Sequence, residues 1–236
     1  MSNNYFQFKQ FTIHQDRCAM KVCTDACLFG AIVANELKHE HILDIGAGTG
    51  ILSLMYAQKN PSSIIHSVEL DPAAAEQAKE NYRSTVWNNR MEIYNNNIND
   101  FDKDKKYELI ISNPPFFEHD LLSADENKNA AKHHSTLSLK QLLNVVANKL
   151  QPQGCFAVLL PDRRLEHFES EAILNGFHVH RKILVRQTPT HEIFRGILFL
   201  KKQSAKALTT EMSIKRTDGN YTAEFIGLLK DYYLYL

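Results

Sequence analysis

The chain contains no apolar run approaching the ~20 residues that a membrane-spanning helix needs. Its opening, MSNNYFQFKQ, lacks the apolar core of a secretory leader. Cysteine is scarce. Cys18, Cys23, Cys27 and Cys155 stand at spacings that make neither the C-x-x-C pairs of a zinc site nor an even disulfide framework. These absences point to a reduced, soluble, cytoplasmic protein whose thiols are small core residues. Net charge is absent as well, with 27 Lys+Arg against 27 Asp+Glu, so the overall balance favours no class of partner. There is no internal repeat and no low-complexity linker. What remains is 236 residues, 44% hydrophobic, enough for one substantial core. We read the chain as a single domain over 1–236, with an N-terminal extension (1–40), a core (41–203) and a tail (204–236) packed on that core.

Charge is unevenly distributed. From Lys128 to Arg216 there are 15 Lys/Arg against 6 Asp/Glu, and six of the 11 His lie in the same window. Either solvated faces happen to differ, or a basic half meets a polyanion.

Apolar periodicity alternates through the middle of the chain. HILDIG (41–46) reads as a buried strand and GILSLMYAQKN as a helix. SSIIHSVEL is a second strand, and DPAAAEQAKENYRS a helix with Asp71 as N-cap and Pro72 at its first position. RMEIY and YELIIS are strands three and four, and further helix–strand pairs continue up to FRGILFLKK. Such alternation predicts parallel βαβ units in a doubly wound α/β sheet, which binds ligands beyond the carboxyl ends of its strands. The leading segment reads as a short strand pair, then a helix capped by Thr24 or Asp25. The tail reads as a turn at Asp218-Gly219, then an amphipathic helix whose Tyr232, Tyr233 and Tyr235 pack on the body.

The first strand ends in LDIGAGTG. Gly46, Gly48 and Gly50 let the backbone approach a ligand closely, but Ile51 stands where a dinucleotide fold places its third glycine. The second strand ends in VELD, so Glu69 can accept hydrogen bonds from both hydroxyls of a ribose. A carboxylate there suits a cationic ligand and repels a diphosphate. The pair favours S-adenosylmethionine over a nicotinamide cofactor.

The fourth strand ends in ISNPPFF (111–117). Each proline lacks an N–H and fixes φ, which cuts the strand off and stiffens the loop beyond it. The side-chain oxygen of Asn113 and the carbonyl of Pro114 can each accept one N–H of an exocyclic amine, localising its lone pair toward a methyl donor. Pro115 keeps that loop rigid, and Phe116 offers a face on which a base can stack. A bare strand exit with a hydrophobic plug is the bland alternative, and Phe117 suits the plug.

LDIGAGTG, VELD and NPPF in this order resemble class I methyltransferases that act on amino groups. FKQFTIHQDRCAMKV, ENYRSTVWNNRMEIY, KHHSTLSLKQLL and the closing DGNYT…KDYYL extend the likeness over nearly the whole chain, to the tRNA1(Val) (adenine(37)-N6)-methyltransferase family. That resemblance implies a Rossmann-like sheet of seven strands with the last antiparallel, and N6-methylation of adenine 37 in the anticodon loop of a tRNA. It implies that Asp44 and the Gly46–Gly50 turn hold the methionine part of S-adenosylmethionine, with Glu69 on the ribose and Thr24 beside the amino-acid end. Asn97 stands where relatives usually carry an aspartate for the cofactor's adenine. Lys132 and His133 in KHHS, and Arg163 and Arg164 in DRR, are candidates for RNA phosphates. The adjacent histidines lack a partner at metal-ligand spacing, and no metal, membrane or obligatory protein partner is expected.

Four other readings fit parts of this pattern. Guanine-N2 methylation of ribosomal RNA uses the same N-P-P-F. Glutamine methylation in release factors uses N-P-P but with a helical N-terminal domain for which 40 residues leave no room. A DNA adenine methyltransferase usually needs a target-recognition domain, which is also missing. A non-catalytic RNA-binding module is disfavoured by the intact DIGAGTG, Glu69 and Asn113.

Overall fold

From His41 to Arg83 strand and helix alternate as the apolar spacing demands. A computed structural model of the chain describes residues 3–102, 104–114 and 137–236. Strands β1 (Tyr5–Gln7) and β2 (Thr12–His14) form an antiparallel pair ahead of helix α1 (Thr24–Glu36). Then come β3 (His41–Ile45), α2 (Ile51–Lys59), β4 (Ile64–Glu69), α3 (Pro72–Arg83), β5 (Met91–Asn95) and β6 (Tyr107–Ser112). The second half comprises α4 (Leu139–Lys149), β7 (Leu150–Pro161), α5 (Leu165–Leu174), β8 (His178–Arg186), β9 (Ile193–Lys201), β10 (Leu208–Ser213) and α6 (Ala223–Leu229).

The main sheet has the order β10-β8-β9-β7-β6-β3-β4-β5. The seven expected strands are there, and β9 alone runs antiparallel to its neighbours β7 and β8. An eighth strand is added: β10, from the segment read as tail, pairs parallel with β8 and covers what would be an open edge. Of its residues only Met212 is buried, so LTTEMS carries little strand signal.

Successive strand residues point to opposite faces. Ile42, Leu109, Ile111, Ala157 and Ile197 join a core with α1, α2 and part of α3. Leu43, Ile110, Phe156, Val158 and Leu198 join a second core with α4 and α5. Strands covered on both faces become unbroken apolar runs, which is why they were readable.

Asp71 caps α3 as expected, accepting the N–H of Ala74 at 2.9 Å with Pro72 next in line. At α1 the cap differs. Cys23 is the N-cap, because the carboxylate of Asp25 turns instead to Arg195 Nε at 2.7 Å. Cys27 and Cys155 are core residues, but Cys23 is exposed and not the small core residue the sequence suggested. In the tail, Gly219 makes the turn with φ +85° and Thr222 caps α6. Tyr232 is buried and donates its hydroxyl to the carbonyl of Met55 at 2.9 Å, while Tyr233 packs on Phe6 and Phe8. Tyr235, by contrast, is 89% exposed and stands clear of the body. Among the described residues no helix is long and apolar enough to cross a membrane.

Candidate active site

The strand register collects the site. Ile45 stands opposite Val68 on one side and Ser112 on the other, and Glu69 stands opposite Asn95. The carboxyl ends of β3, β4, β5 and β6 therefore align, and the residues just beyond them meet above one edge of the sheet. From β3 the chain winds outward to β4 and β5 and returns on the other side through β6. The crevice beside β3 and β6 is thus the topological switch point, where such sheets bind ligands.

The glycine turn is built for close approach. Gly48 adopts φ +55°, and a Cβ there would meet nothing within 4 Å, so the turn leaves open space on its outer side. Gly50 adopts φ +79°, and a Cβ there would strike the ring of Tyr82. Gly48 gives its N–H to one oxygen of Glu69 at 2.9 Å, and Asp71 gives its N–H to the other at 2.9 Å. Below the turn, Asp44 is 1% exposed. Its Oδ2 accepts the Ser53 hydroxyl at 2.7 Å; Ser53, Ser67 and Tyr82 continue the chain of hydroxyls. Its Oδ1 is buried with no hydrogen-bond partner among the described residues. Burial, opposed only in part by the Ser53 hydrogen bond and reinforced by the charge of Glu69, pushes the Asp44 carboxyl up to about 7.

A cavity of about 450 Å³ opens beside the turn, within the ~300–1,000 Å³ usual for small-molecule sites. Gly46, Gly48 and Glu69 line it, with Asn97 among Asn96–Asn99 after β5 and Ser112 and Pro114 from the end of β6. The Asn97 side-chain oxygen accepts both the N–H and the side-chain amide of Asn99, each at 3.0 Å. Lys149, 4% exposed, pins the far end of this wall by donating to the carbonyls of Phe101 and Asp102.

Several lining residues carry little signal in the sequence. Cys18, Ala19 and Met20 form one wall, and Leu137 and Gln141 reach in from the start of α4. For the first group the only signal is the stretch DRCAM, which shares in the family likeness but has no chemical pattern of its own. For Gln141 it is the S-x-x-Q spacing of a capping box, in which Ser138 and Gln141 each hold the other's N–H. Burial first, then Glu69 and Asp71, push the Cys18 thiol up to about 11, so it is neutral at pH 7.

Asn113 comes directly after β6, and Ser112 ties that end to β3 by donating its hydroxyl to the Ile45 carbonyl at 2.9 Å. The Asn113 Oδ1 atom is buried and has no hydrogen-bond partner among the described residues. Pro115, Phe116, Lys132 and His133 lie outside the described residues. Asp44, Gly50, Asn113 and Thr24 are not on the cavity surface; Asp44 and Asn113 directly adjoin lining residues in the chain, Gly50 ends the glycine turn, and Thr24 is an exposed residue at the start of α1. Arg163 and Arg164 form a single 3-10 turn after Pro161, at the same sheet edge but not on the cavity. Part of the basic excess of the second half is paired. Arg181 pairs with Glu36, Lys182 with Glu169, Arg186 with Glu211 and Arg195 with Asp25.

Comparison with known proteins bears on this geometry. The family model described as "Methyltransferase small domain" matches residues 24–180. A Dyadobacter fermentans protein named tRNA1(Val) (adenine(37)-N6)-methyltransferase is 39% identical, over 98% of this chain and 98% of its own. A Photorhabdus laumondii protein of the same name is 37% identical, over 98% of this chain and 95% of its own. Among solved structures, a ribosomal protein L11 methylase from Lactobacillus delbrueckii shares the fold at TM-score 0.56 and 16% identity, over 81% of this chain and 84% of that one. The chain belongs to the methyltransferase small domain family and, within it, to the tRNA1(Val) (adenine(37)-N6)-methyltransferases.

Proposed function

We propose that the protein transfers a methyl group from S-adenosylmethionine to N6 of adenine 37 in tRNA1(Val). The observation that carries this reading is the buried Oδ1 of Asn113, which has no hydrogen-bond partner among the described residues and stands between Ser112 and Pro114 of the cavity wall. A buried acceptor without a donor costs ~1–3 kcal/mol, and a substrate amine would supply the missing N–H.

The residues present fit the donor. Gly46 and Gly48 leave room for close approach, Glu69 retains lone pairs for ribose hydroxyls, and the orphaned Asp44 Oδ1 suits the amino-acid end. Asn97 has one amide oxygen already taking two N–H groups, so its part in holding the adenine falls chiefly to its Nδ2 and to the wall around it. Thr24, exposed at the start of α1 and off the cavity surface, is assigned to the amino-acid end by the family likeness alone. S-adenosylmethionine supplies an electrophilic methyl on a sulfonium.

The chain's own residues prepare the amine. An adenine amino group is a poor nucleophile because its lone pair is delocalised into the ring. Asn113 Oδ1 and the Pro114 carbonyl each accept one N–H and draw the nitrogen toward a tetrahedral geometry, which localises the lone pair on it, and Pro115 fixes both acceptors before substrate arrives. Phe116 stacks on the base, worth ~1–3 kcal/mol for an unpaired base. Once methylated the nitrogen is acidic and sheds its proton to water without a dedicated base. An anticodon loop suits this site because its bases need little unstacking energy to enter. Lys132, His133, Arg163 and Arg164 contact phosphates of the stem and loop.

The test is transfer of labelled methyl from S-adenosylmethionine to a tRNA panel, with nucleoside analysis of the products. N6-methyladenosine is expected in tRNA1(Val) and absent when adenine 37 is changed to guanine. Label on guanine N2, on a protein glutamine or on DNA would replace this assignment with the corresponding rival.

A further inference from the structure

Cys18, Ala19 and Met20 wall the cavity although they precede the glycine turn by almost thirty residues of chain. Helix α3 holds them there. Asn81, 0% exposed, accepts the N–H of His14 on Oδ1 and donates Nδ2 to the carbonyl of His14, each at 2.9 Å. The same Nδ2 donates to the carbonyl of Thr49, inside the glycine turn, at 2.9 Å. One turn earlier on the same helix face, Gln77, 1% exposed, accepts the N–H of Arg17 at 2.8 Å, and Glu80 pairs with the Arg17 guanidinium. Gln15 folds the segment back on itself by accepting the N–H of Val22 at 2.8 Å. At its own start α3 lends Asp71 and Ala74 to the cavity.

Asparagine is a poor choice for the interior of a helix, because its amide competes with the helical backbone. A buried asparagine whose amide pairs entirely with other segments is therefore placed for what it joins. Here it joins the N-terminal wall to the glycine turn, using a side chain that mimics the neighbouring strand of a sheet.

We infer that Asn81 and Gln77 are positioning residues for the methyl donor. They seat the Cys18–Met20 segment as the closing wall of the cavity and fix its distance from the glycine turn. This rests on reading the cavity as the S-adenosylmethionine site. The extension ahead of β3 is then part of the binding unit. Donor binding and order in residues 14–22 are linked, and by reciprocity each strengthens the other.

The experiment uses the full chain carrying Gln77→Met or Asn81→Ala. It measures S-adenosylhomocysteine affinity by calorimetry, kcat and KM for donor and tRNA separately, and amide hydrogen exchange over residues 14–22 with and without S-adenosylhomocysteine. Both variants are expected to weaken S-adenosylhomocysteine at least tenfold and to raise the donor KM alike. The tRNA KM and kcat at saturating donor should stay within about threefold. Exchange over 14–22 should be faster in the free variants and slow again when ligand is added. Gln77→Met loses one contact and keeps the helix, so it carries the test should Asn81→Ala fail to fold. A lowered melting temperature with unchanged ligand affinity would make the two amides struts of the fold only and overturn the inference. So would a defect confined to the tRNA KM. Absence of S-adenosylhomocysteine binding to the wild type would instead remove the reading of the cavity on which the inference stands.

Discussion

Gly48 donates its backbone N–H to the carboxylate of Glu69 at 2.9 Å, so the glycine turn after β3 and the acidic end of β4 form one surface. The second carboxylate oxygen takes the N–H of Asp71, which sets the start of α3. Glu69 therefore shapes the cavity, in addition to the ribose contact proposed for it. Glu69→Ala removes both functions. Losing even one charge-assisted hydrogen bond to a ligand is worth ~1.5–3 kcal/mol, which is about tenfold or more in affinity. Calorimetry with S-adenosylhomocysteine should show at least that loss, and affinity within twofold of wild type would contradict the role.

Asp44 makes a pH-dependent contribution of opposite sign to the usual salt-bridged carboxylate. Its folded-state value of about 7 lies above the ordinary 3.8, so between those limits the folded protein binds the extra proton. Stability therefore falls as pH rises from about 4 to about 7, because the unfolded state ionises more readily. Asp44→Asn should flatten that slope in chemical unfolding measured across this range. A variant with the wild-type slope would show that the carboxyl is not held neutral by burial.

Much of this was legible because doubly covered strands must be continuous apolar runs. Ile42-Leu43 and Ile110-Ile111 each feed two cores, and their shortness and the turn residues that bound them set these strands apart from the longer buried run of α1. LDIGAGTG and VELD were legible for a different reason: backbone φ above zero at Gly46, Gly48 and Gly50, and a carboxylate that can take the N–H of that turn, admit few residue types. The wall Cys18–Met20 was not, because nothing in DRCAM has a period or a special conformation; its place depends on Asn81 and Gln77, about sixty residues away. Strand β10 was missed because an edge strand with one buried residue does not alternate. The local charge excess of the 128–216 window does not by itself define a surface. A window of sequence is not a face, and Arg181 and Arg195 are paired with Glu36 and Asp25, which lie far outside it.

Gly50 cannot take a side chain without moving its neighbour. It sits at φ +79°, and a Cβ there overlaps the ring of Tyr82, a fully enclosed side chain hydrogen-bonded to Ser67. The left-handed conformation alone costs a non-glycine residue ~1–2 kcal/mol. Gly50→Ala should lower the melting temperature and weaken S-adenosylhomocysteine together, whereas Gly219→Ala, where φ is also positive but no atom is close, should lower stability alone. Equal ligand affinity in both variants would contradict the close packing of the turn.

Lys149 anchors the wall that carries Asn97. Its ammonium is buried against the carbonyls of Phe101 and Asp102, and burial holds its pKa below the ordinary value. Lys149→Met keeps the volume of the stem but removes the ammonium from the buried Phe101 carbonyl, at ~1–3 kcal/mol for a buried group left unsatisfied, and leaves the Asp102 carbonyl only the N–H of Lys105 at 3.3 Å. Thermal unfolding should show a clear loss of stability. A more stable variant would mean that the cost of burying the charge exceeds what its hydrogen bonds return.

The most direct test of the account is the single-turnover rate of Asn113→Ala on tRNA1(Val), with donor affinity measured alongside. Removing one preorganised polar partner of a reacting group costs ~10²–10³ in rate, so turnover should fall by at least ~100-fold while S-adenosylhomocysteine binds as in the wild type. A variant that keeps near wild-type turnover would show that the buried oxygen of Asn113 does not hold the amine, and would contradict the account at its centre.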